Sequence, residues 1–290
     1  MLRFTASCAG WLTSDPRHGQ IAILGLLLGY GWWRLAFDLP VGQALVTGLT
    51  ALLVQALADA WTGRSVTHGA KSALISALSL CLLLRTPSLA LAATAAAIAV
   101  VSKFVLRVKG KHVFNPTNLA IVVLVLATDR VWVSPGQWGT EPTLAFLLAS
   151  AGLLVVTRAA RADVTLAFLT SYAAFVFGRS WWLGEPLAIP MHRLESGALL
   201  LFSFFMISDP KTTPDSRAGR VLFAVMVAVG AAAVHFVLFR TNGLLWALGA
   251  TAPLVPVLDR LVPAARYQWP PRACSTGSIV CARPASGQLA

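Results

Sequence analysis

Ten stretches of mostly apolar residues follow one another along the chain, with short polar segments between them. Each is near the roughly 20 residues with which a helix crosses about 30 Å of hydrocarbon. Only 12% of the residues are charged, against about 25% in an ordinary soluble domain. We therefore expect an all-α integral membrane protein with about ten transmembrane helices, at residues 21–38, 41–59, 70–84, 88–108, 115–133, 143–157, 163–178, 195–208, 219–238 and 243–262.

The net charge of +12 raises the question of nucleic-acid binding. With ten spans and a cytoplasmic N terminus, most of the 23 Lys and Arg residues fall in cytoplasmic segments. Membrane topology explains such a bias through the positive-inside rule, so no nucleic-acid partner is expected. We expect a multi-pass protein of the inner (plasma) membrane, with both termini cytoplasmic and the lipid bilayer, through its anionic headgroups, as a partner.

Two short matches with one common spacing suggest an internal repeat. The run SALI from Ser72 resembles SGAL from Ser196, which lies 124 residues later. The pair Thr-Asn ending at Asn118 recurs at Asn242, again 124 residues later. So few identities also arise by chance in an apolar chain of low complexity. If the repeat is real, the chain contains two units of five helices, and the odd number inverts the second unit relative to the first.

The expected domain organisation follows from these spans. Residues 1–20 form a cytoplasmic N-terminal segment, and residues 21–262 form the transmembrane domain. Within that domain the two inverted repeats cover about 21–140 and 141–262. Residues 263–290, a segment containing several Pro, Gly and Ser residues, are expected to be a disordered cytoplasmic tail.

The segment FNPTN, which ends at Asn118, begins the fifth predicted helix with a proline. Proline suits the first turn of a helix, and Asn115 before it is a good N-cap, so an ordinary helix start is one interpretation. The other is functional, because free N–H groups at a helix N terminus, close to Lys109 and Lys111, favour an anion such as phosphate. The candidate binding residues are Asn115, Thr117 and Asn118.

The segment SDPKTTP, which begins at Ser208, leaves the eighth predicted helix. Asp209 before Pro210 stops the helix. A carboxylate at membrane depth needs a partner, and the nearest basic residues in sequence are Lys211 and Arg217. An ion pair in an ordinary loop is one interpretation, and a polar ligand site is the other. The candidate binding residues are Asp209, Lys211, Thr212 and Thr213.

These two segments resemble those of the RnfD and NqrB family, the membrane subunits of flavin-containing electron-transport complexes. That family shows an F-N-P-A type helix start and a T-D-P-x-[ST]-x-P type turn followed by Gly-Arg, to which FNPTN and FFMISDPKTTPDSRAGR are similar. The run APLVPVLDR resembles the last helix of the family, so the resemblance covers about residues 70–262. Stand-alone relatives of the UnbU type, from enediyne gene clusters, look closer still, since they also carry a histidine before Asn-Pro and a threonine pair after Asp-Pro.

The resemblance implies ten helices in two inverted units, with flavin or quinone bound noncovalently near the two segments and one-electron transfer across the membrane. Coupled members of the family attach FMN to a threonine of a Ser-Gly-Ala-Thr type stretch after helix five. The corresponding loop here, residues 129–142, contains Thr140 as its single threonine before Pro142, and its neighbours do not match. The cofactor expected from the resemblance is therefore FMN or riboflavin held noncovalently, without covalent attachment.

The sequence lacks the residue patterns that haem binding, metal binding, phosphate binding in a loop or nucleophilic catalysis would require. His235 is the one histidine deep in a predicted span, whereas a bis-histidine haem needs two at similar depth. His112 and His192 fall on opposite sides of the membrane, and Cys274 and Cys281 have no nearby histidine pair, so no metal site is expected. We find no glycine-rich phosphate loop and no nucleophile elbow, and we assign no catalytic residue.

The leading hypothesis is an RnfD-like membrane subunit of an electron-transport complex, which binds flavin or quinone and passes electrons across or within the membrane. Such a chain has no independent catalytic motif and needs other redox subunits as partners. The rival hypothesis is a small-solute transporter or channel, UnbU-like and linked to biosynthesis or export, on the same inverted scaffold. A third is a membrane scaffold for a biosynthetic or electron-transfer assembly.

Overall fold

A computed structural model describes residues 15–138 and 142–268, without the side chains of residues 66–68, 142 and 143. Residues 1–14 of the expected N-terminal segment and residues 269–290 of the expected tail lie outside the described residues, as does Thr140. Helices dominate the described part. They are α1 (Pro16–Trp33), α2 (Val41–Trp61), α3 (Val66–Leu83), α4 (Leu89–Val105), α5 (Pro116–Ala127), α6 (Pro142–Arg158), α7 (Ala162–Leu183), α8 (Ala188–Leu194), α9 (Gly197–Leu201), α10 (Arg217–Phe236), α11 (Gly243–Thr251) and α12 (Val255–Leu261).

Helix α9 continues without a break into a π-helical turn at Phe202–Met206. The N–H of Ile207 donates to the carbonyl of Phe202, which is the wider spacing of a π turn. Helices α11 and α12 are joined by a 3₁₀ turn at Ala252–Leu254, and a second 3₁₀ turn lies at Pro135–Trp138. Wide turns of this kind are often found beside functional sites, so the residues after Met206 are of particular interest.

Four two-residue strands form two small antiparallel pairs. Strand β1 (Leu84–Arg85) pairs with β4 (Trp132–Val133), and β2 (Arg107–Val108) pairs with β3 (Lys111–His112). The β2–β3 hairpin turns through Lys109 and Gly110, whose φ values are 50° and 79°. Two successive residues with positive φ are typical of a tight type I′ hairpin turn, and glycine tolerates that backbone without strain.

The helices pack in two groups around α5. In the first group α2 packs against α3 and α4, and in the second α10 packs against α7 and α11. Helix α5 contacts α4 on one side and α11 on the other. The two segments of interest lie at this junction, because one begins α5 and the other follows the π turn.

Helix α2 has the surface pattern of a membrane helix. Four leucines that point outward are 58–66% exposed, while the residues on the opposite face that are at most 4% exposed are largely polar. In water this arrangement is unfavourable, but in hydrocarbon it places apolar side chains against lipid and pairs polar groups inside the protein. The outward residues are Leu45, Leu49, Leu53 and Leu57, and the buried polar ones are Gln43, Thr47, Gln55 and Asp59.

By length and composition, three helical stretches in the described residues are long and apolar enough to cross a membrane: Val41–Trp61, Arg217–Phe236 and Gly243–Leu261. Five further apolar helices are shorter, with 10–17 residues. The expected all-α membrane protein is therefore confirmed in outline. The number of ten spans and the inverted repeats remain predictions.

Two differences in element boundaries from the sequence-based expectation have local reasons, and one further helix was not expected. Helix α1 begins at Pro16 instead of residue 21, because Asp15 caps it: the Asp15 side chain accepts a hydrogen bond from the N–H of Arg17 at 3.0 Å. Helix α5 ends at Ala127, and the apolar residues Trp132–Val133 that follow pair with β1 instead of extending the helix. Short helix α8 lies in a segment where no helix was expected.

Replacing Gly152 in α6 by valine should destabilise the fold. A Cβ on Gly152 would overlap the Phe204 ring in the π turn, so α6 would have to move away from it. We expect a loss of about 1–3 kcal/mol in unfolding free energy, seen as a lower melting temperature in detergent. Gly178→Val in α7 is the matched control, because nothing lies within 4 Å of a Cβ there. Equal melting temperatures for the two variants would contradict this packing.

Candidate functional site

A cavity with many polar walls, here called the polar cavity, lies where the start of α5 meets the end of the π turn. Its volume is about 90 Å³, which is below the roughly 300–1,000 Å³ of pockets that enclose a drug-sized ligand. The cavity therefore has room for a few water molecules or a small solute in this arrangement. Its polar and charged lining residues are Arg17, Gln20, Ser72, Ser76, Ser79, Lys103, His112, Asn115, Thr117, Ser208, Asp209 and Lys211.

Asn115 joins the two predicted segments directly. Its side-chain oxygen accepts a hydrogen bond from the N–H of Asn118 at 3.1 Å, which caps α5, and Pro116 follows as the first helical residue. Its side-chain NH₂ group donates to the carbonyl of Met206 at 3.2 Å. Thus one amide side chain satisfies a free N–H of one helix start and a carbonyl of the opposing π turn.

The other two residues of the first segment take different positions. Thr117 is buried and lines the polar cavity. Asn118 instead lies between α5 and α11, where its NH₂ group donates to the carbonyl of Leu245 at 3.2 Å. The side-chain oxygen of Asn118 is buried, with no hydrogen-bond partner among the described residues.

Asp209 lines the polar cavity and organises the turn that follows the π segment. Its carboxylate accepts a hydrogen bond from the N–H of Lys211 at 3.0 Å, and its carbonyl accepts from the N–H groups of Thr212 and Thr213 at 3.1 Å. The described residues show no ion pair between Asp209 and either Lys211 or Arg217. The carboxylate is therefore held mainly by backbone geometry.

The three residues after Pro210 make different contacts: these are Lys211, Thr212 and Thr213. The Lys211 ammonium lines the cavity and donates to the carbonyl of Tyr267 at 3.3 Å. The Thr213 hydroxyl is buried and accepts a hydrogen bond from Arg161 at 3.2 Å, and Thr212 is buried as well. Of the seven predicted binding residues, the structure places four around the cavity, namely Asn115, Thr117, Asp209 and Lys211, while Asn118, Thr212 and Thr213 pack beside it.

Several residues that line the cavity were not predicted from the sequence. Lys103 is only 5% exposed, and its ammonium lies 3.4 Å from the Ser72 hydroxyl. Three serines of α3, at positions 72, 76 and 79, line the cavity from one face of that helix. A polar stripe at helical spacing in an apolar helix was the signal that could have identified this face. Arg17, paired with Asp15 at 2.8 Å, completes the wall from α1.

Burial and neighbouring charges shift the pKa values of two groups at the site, His112 and Asp209. Burial, and after it the cations of Arg107, Lys103 and Lys211, lower the pKa of His112 from 6.5 to about 4. The His112 Nδ1 atom is buried, with no hydrogen-bond partner among the described residues. Burial raises the pKa of the Asp209 carboxyl, against the opposing effect of the Lys211 N–H and of nearby cations. Neutral His112 is therefore the expected state above pH 6.

A second cavity, of about 220 Å³, lies beside the start of α11 and has mainly apolar walls. Tyr172, Arg193, His235 and Asn242 are among its polar lining residues. His235, which lies deep in a predicted span, is thus placed at the wall of this cavity. Met206 lines both cavities, so the π turn forms part of the wall between them.

Comparison with protein families finds a match in the C-terminal part of the chain, and comparison with known proteins finds partial relatives. The family model described as "NQR2, RnfD, RnfE family" matches residues 128–268. A protein from Erwinia tasmaniensis that is named as part of the ion-translocating oxidoreductase complex is 32% identical over 125 residues, which cover 42% of this chain and 34% of the relative. The protein of the same name from Stutzerimonas stutzeri is 30% identical over 139 residues, which cover 46% of this chain and 38% of the relative.

The matched segments thus span little more than a third of the length of these relatives. The range of the family model includes the second predicted segment, from Ser208 to Pro214, but begins after the first, which ends at Asn118. The resemblance that the sequence motifs indicated is confirmed over this range.

His112 should make the stability of the protein depend on pH. Because its pKa is lower in the folded state than in the unfolded chain, the unfolded chain binds more protons between pH 6.5 and about 4. His112 causes no loss of unfolding free energy above pH 6.5. The loss grows as pH falls toward 4 and reaches up to about 3 kcal/mol, at about 1.4 kcal/mol per pKa unit.

Melting temperatures of the wild type and of His112→Gln, measured in detergent across this pH range, isolate the effect. Asp209, whose pKa is shifted upward, acts in the opposite direction but is present in both proteins. We expect the wild type to lose more stability than the variant on acidification. Parallel curves would show that His112 is not buried as described.

Proposed function

We propose that this chain belongs to the NQR2, RnfD, RnfE family and is an integral membrane redox subunit that binds a flavin or quinone noncovalently in an electron-transport complex. The observation that carries the proposal is the hydrogen bond from Asn115 to the Met206 carbonyl, since it brings the two family-like segments together beside one polar cavity. The names of the similar proteins, which assign them to ion-translocating oxidoreductase complexes, agree with such a role.

The residues around the polar cavity match the polar edge of a flavin or quinone. Asn115 and Thr117 offer amide and hydroxyl groups, while Lys103 and Lys211 offer positive charge to a ring that becomes more anionic on reduction. The bound ring would supply the one-electron chemistry, and the chain would bind, orient and electrostatically tune it. Asn118, Thr212 and Thr213, which pack outside the cavity, would support this site by fixing the helix start and the turn.

A ring ligand needs more room than the roughly 90 Å³ of the polar cavity. Arg17 and Gln20, near the start of α1, form one wall. We propose that these two side chains move outward when the ring binds. The second cavity, with its larger volume and its aromatic residues Tyr172 and Phe202, offers a further apolar surface across Met206.

The proposed architecture comprises ten membrane spans in two inverted five-helix repeats, about 21–140 and 141–262. Positions that are 124 residues apart have similar surroundings in this architecture. Ser72 and Ile75 line the polar cavity, and their counterparts Ser196 and Leu199 line the second cavity. Asn118 and Asn242 each bury a side-chain oxygen that lacks a partner among the described residues. Parallel positions of this kind favour a duplicated unit.

Membrane placement and partners follow from the same proposal. The chain would reside in the inner (plasma) membrane with its N terminus cytoplasmic, as the distribution of basic residues predicts. Other redox subunits would deliver and remove electrons, because the sequence has no motif that would bind a soluble electron donor. Residues 263–290 would form a cytoplasmic tail.

A small-solute transporter or channel, UnbU-like in its relation to biosynthesis or export, is the second candidate function. The small volume of the polar cavity favours it, because that volume suits a solute of a few atoms better than a ring. Purified protein that takes up flavin and shows its visible absorption supports the redox function. Colourless protein that moves a solute into liposomes supports the transporter instead.

Asp209→Asn should abolish electron transfer while leaving the protein inserted in the membrane. The amide keeps the shape of the side chain but removes the charge beside Lys103 and Lys211. Electron transfer to added quinone in membrane vesicles is the activity measurement, and an immunoblot of the washed membranes reports insertion. Asp129→Asn is the matched control, because Asp129 is exposed and lies outside the cavity. Normal turnover in Asp209→Asn would remove this carboxylate from the mechanism.

Asn115→Ala should weaken flavin or quinone binding by roughly tenfold, because it removes the polar link between the two segments. It also removes a helix cap, at a cost of about 1 kcal/mol in stability. Ser88→Ala controls for that cost, since the Ser88 hydroxyl caps α4 by accepting from the N–H of Leu91 and lies outside the cavity. Fluorescence titration with riboflavin and quinone measures the affinity. Similar affinities in both variants would assign Asn115 to capping alone.

A further inference from the structure

Four basic side chains surround a pocket next to the polar cavity, here called the basic pocket. They are Arg64 from the turn after α2, Arg107 from β2, Lys211 from the turn after the π segment, and Arg266 from the end of the described chain. The pocket has a volume of about 220 Å³. Residues distant in sequence thus converge on one small space.

None of these four residues forms an ion pair with a carboxylate within the described part of the protein. Lys111, at the same pocket, forms ion pairs with Asp215 at 2.9 Å and with Asp259 at 2.7 Å, so these three residues together have one more negative charge than positive charges. No such ion pair to a carboxylate is found for any of the other four between residues 15 and 138 or between 142 and 268. The basic pocket therefore has an excess of positive charge.

Neutral carbonyl groups hold three of these side chains in place. Arg266 donates to the carbonyl of Lys109 at the hairpin turn, at 2.8 Å, and Lys211 donates to the carbonyl of Tyr267 at 3.3 Å. Arg107 donates through its Nε atom to the carbonyl of Lys103. These bonds orient the cations without cancelling their charge. A preorganised group of cations is what binding an anion requires, because little ordering then remains to be done when the anion arrives.

We propose that the basic pocket binds a phosphate group, either free inorganic phosphate or the headgroup of a phosphomonoester lipid such as phosphatidic acid. Three of the four cations are arginines, whose planar guanidinium groups match phosphate oxygens with paired hydrogen bonds. The pocket is smaller than those that enclose drug-sized ligands, so it suits one anionic group instead of a whole nucleotide. The proposal does not depend on the redox function.

The position of the pocket places a bound phosphate next to the polar cavity. His112 and Lys211 line both spaces, and the Nδ1 atom of His112 is buried without a protein partner among the described residues. A dianion in the basic pocket would offset the cations that surround this histidine. Phosphate would thereby change the charge of the polar cavity without entering it.

Two binding experiments on the full chain, a calorimetric titration and a lipid-retention measurement, test the proposal. In the first, protein in neutral detergent is titrated with inorganic phosphate, while chloride holds the ionic strength constant. In the second, protein in phosphatidylcholine nanodiscs with or without phosphatidic acid is analysed by native mass spectrometry for retained lipid. Binding in the first arm identifies free phosphate as a ligand, and retention of phosphatidic acid in the second identifies the headgroup.

The double variant Arg64→Gln/Arg266→Gln should bind phosphate or phosphatidic acid at least about tenfold more weakly, which corresponds to about 1.4 kcal/mol. Arg217→Gln/Arg240→Gln loses the same charge at exposed positions outside the pocket and should bind like the wild type. If the first double variant does not fold, as judged by gel filtration and circular dichroism, Arg64→Gln alone replaces it, since Arg64 is exposed in a turn.

Three outcomes would overturn the proposal. The first is the absence of saturable binding in both arms. The second is equal weakening by the two double variants, which would show that net charge alone is responsible. The third is full displacement of phosphate by equimolar chloride, which would show that the pocket has no preference for phosphate chemistry. Flavin takes no part in these measurements, so their result is separate from that of the redox proposal.

Discussion

Buried backbone groups must find partners inside the protein, and this requirement governs how the two interrupted segments meet. The start of α5 leaves N–H groups free, and the π turn before Asp209 leaves carbonyls that a regular helix would use. Asn115 serves both, by accepting from the N–H of Asn118 and donating to the carbonyl of Met206. The polar cavity exists because these two breaks face each other.

Apolar patterning was sufficient to predict most helices, because a helix in hydrocarbon must be long and apolar whatever its neighbours are. Boundaries were missed where a polar residue or a strand pairing acts locally. Asp15 begins α1 ahead of its apolar stretch, and Trp132–Val133 leaves the predicted helix to pair with β1. Neither effect is visible in a hydropathy pattern, since the first depends on one cap and the second on a strand partner distant in sequence.

The candidate site was predictable where local chemistry is distinctive and not where tertiary packing decides. Proline next to Asn115 and Asp209 indicated the two helix breaks, and both residues line the cavity. Thr212 and Thr213 belong to the same motif, but their turn directs them away from the cavity. Lys103 was not predicted as a site residue, because nothing in its own sequence neighbourhood indicates that Ser72 lies beside its ammonium.

The π turn at Phe202–Met206 accommodates one residue more than an α-helical path would need. Each residue advances an α-helix by about 100°, so removing one here would rotate everything that follows by about that angle. The carbonyl of Met206 would then face away from Asn115, and the Asp209 turn would be carried to a different side of the helix. A chain of similar composition and hydropathy but one residue shorter at this point would thus keep its membrane helices and lose the cavity.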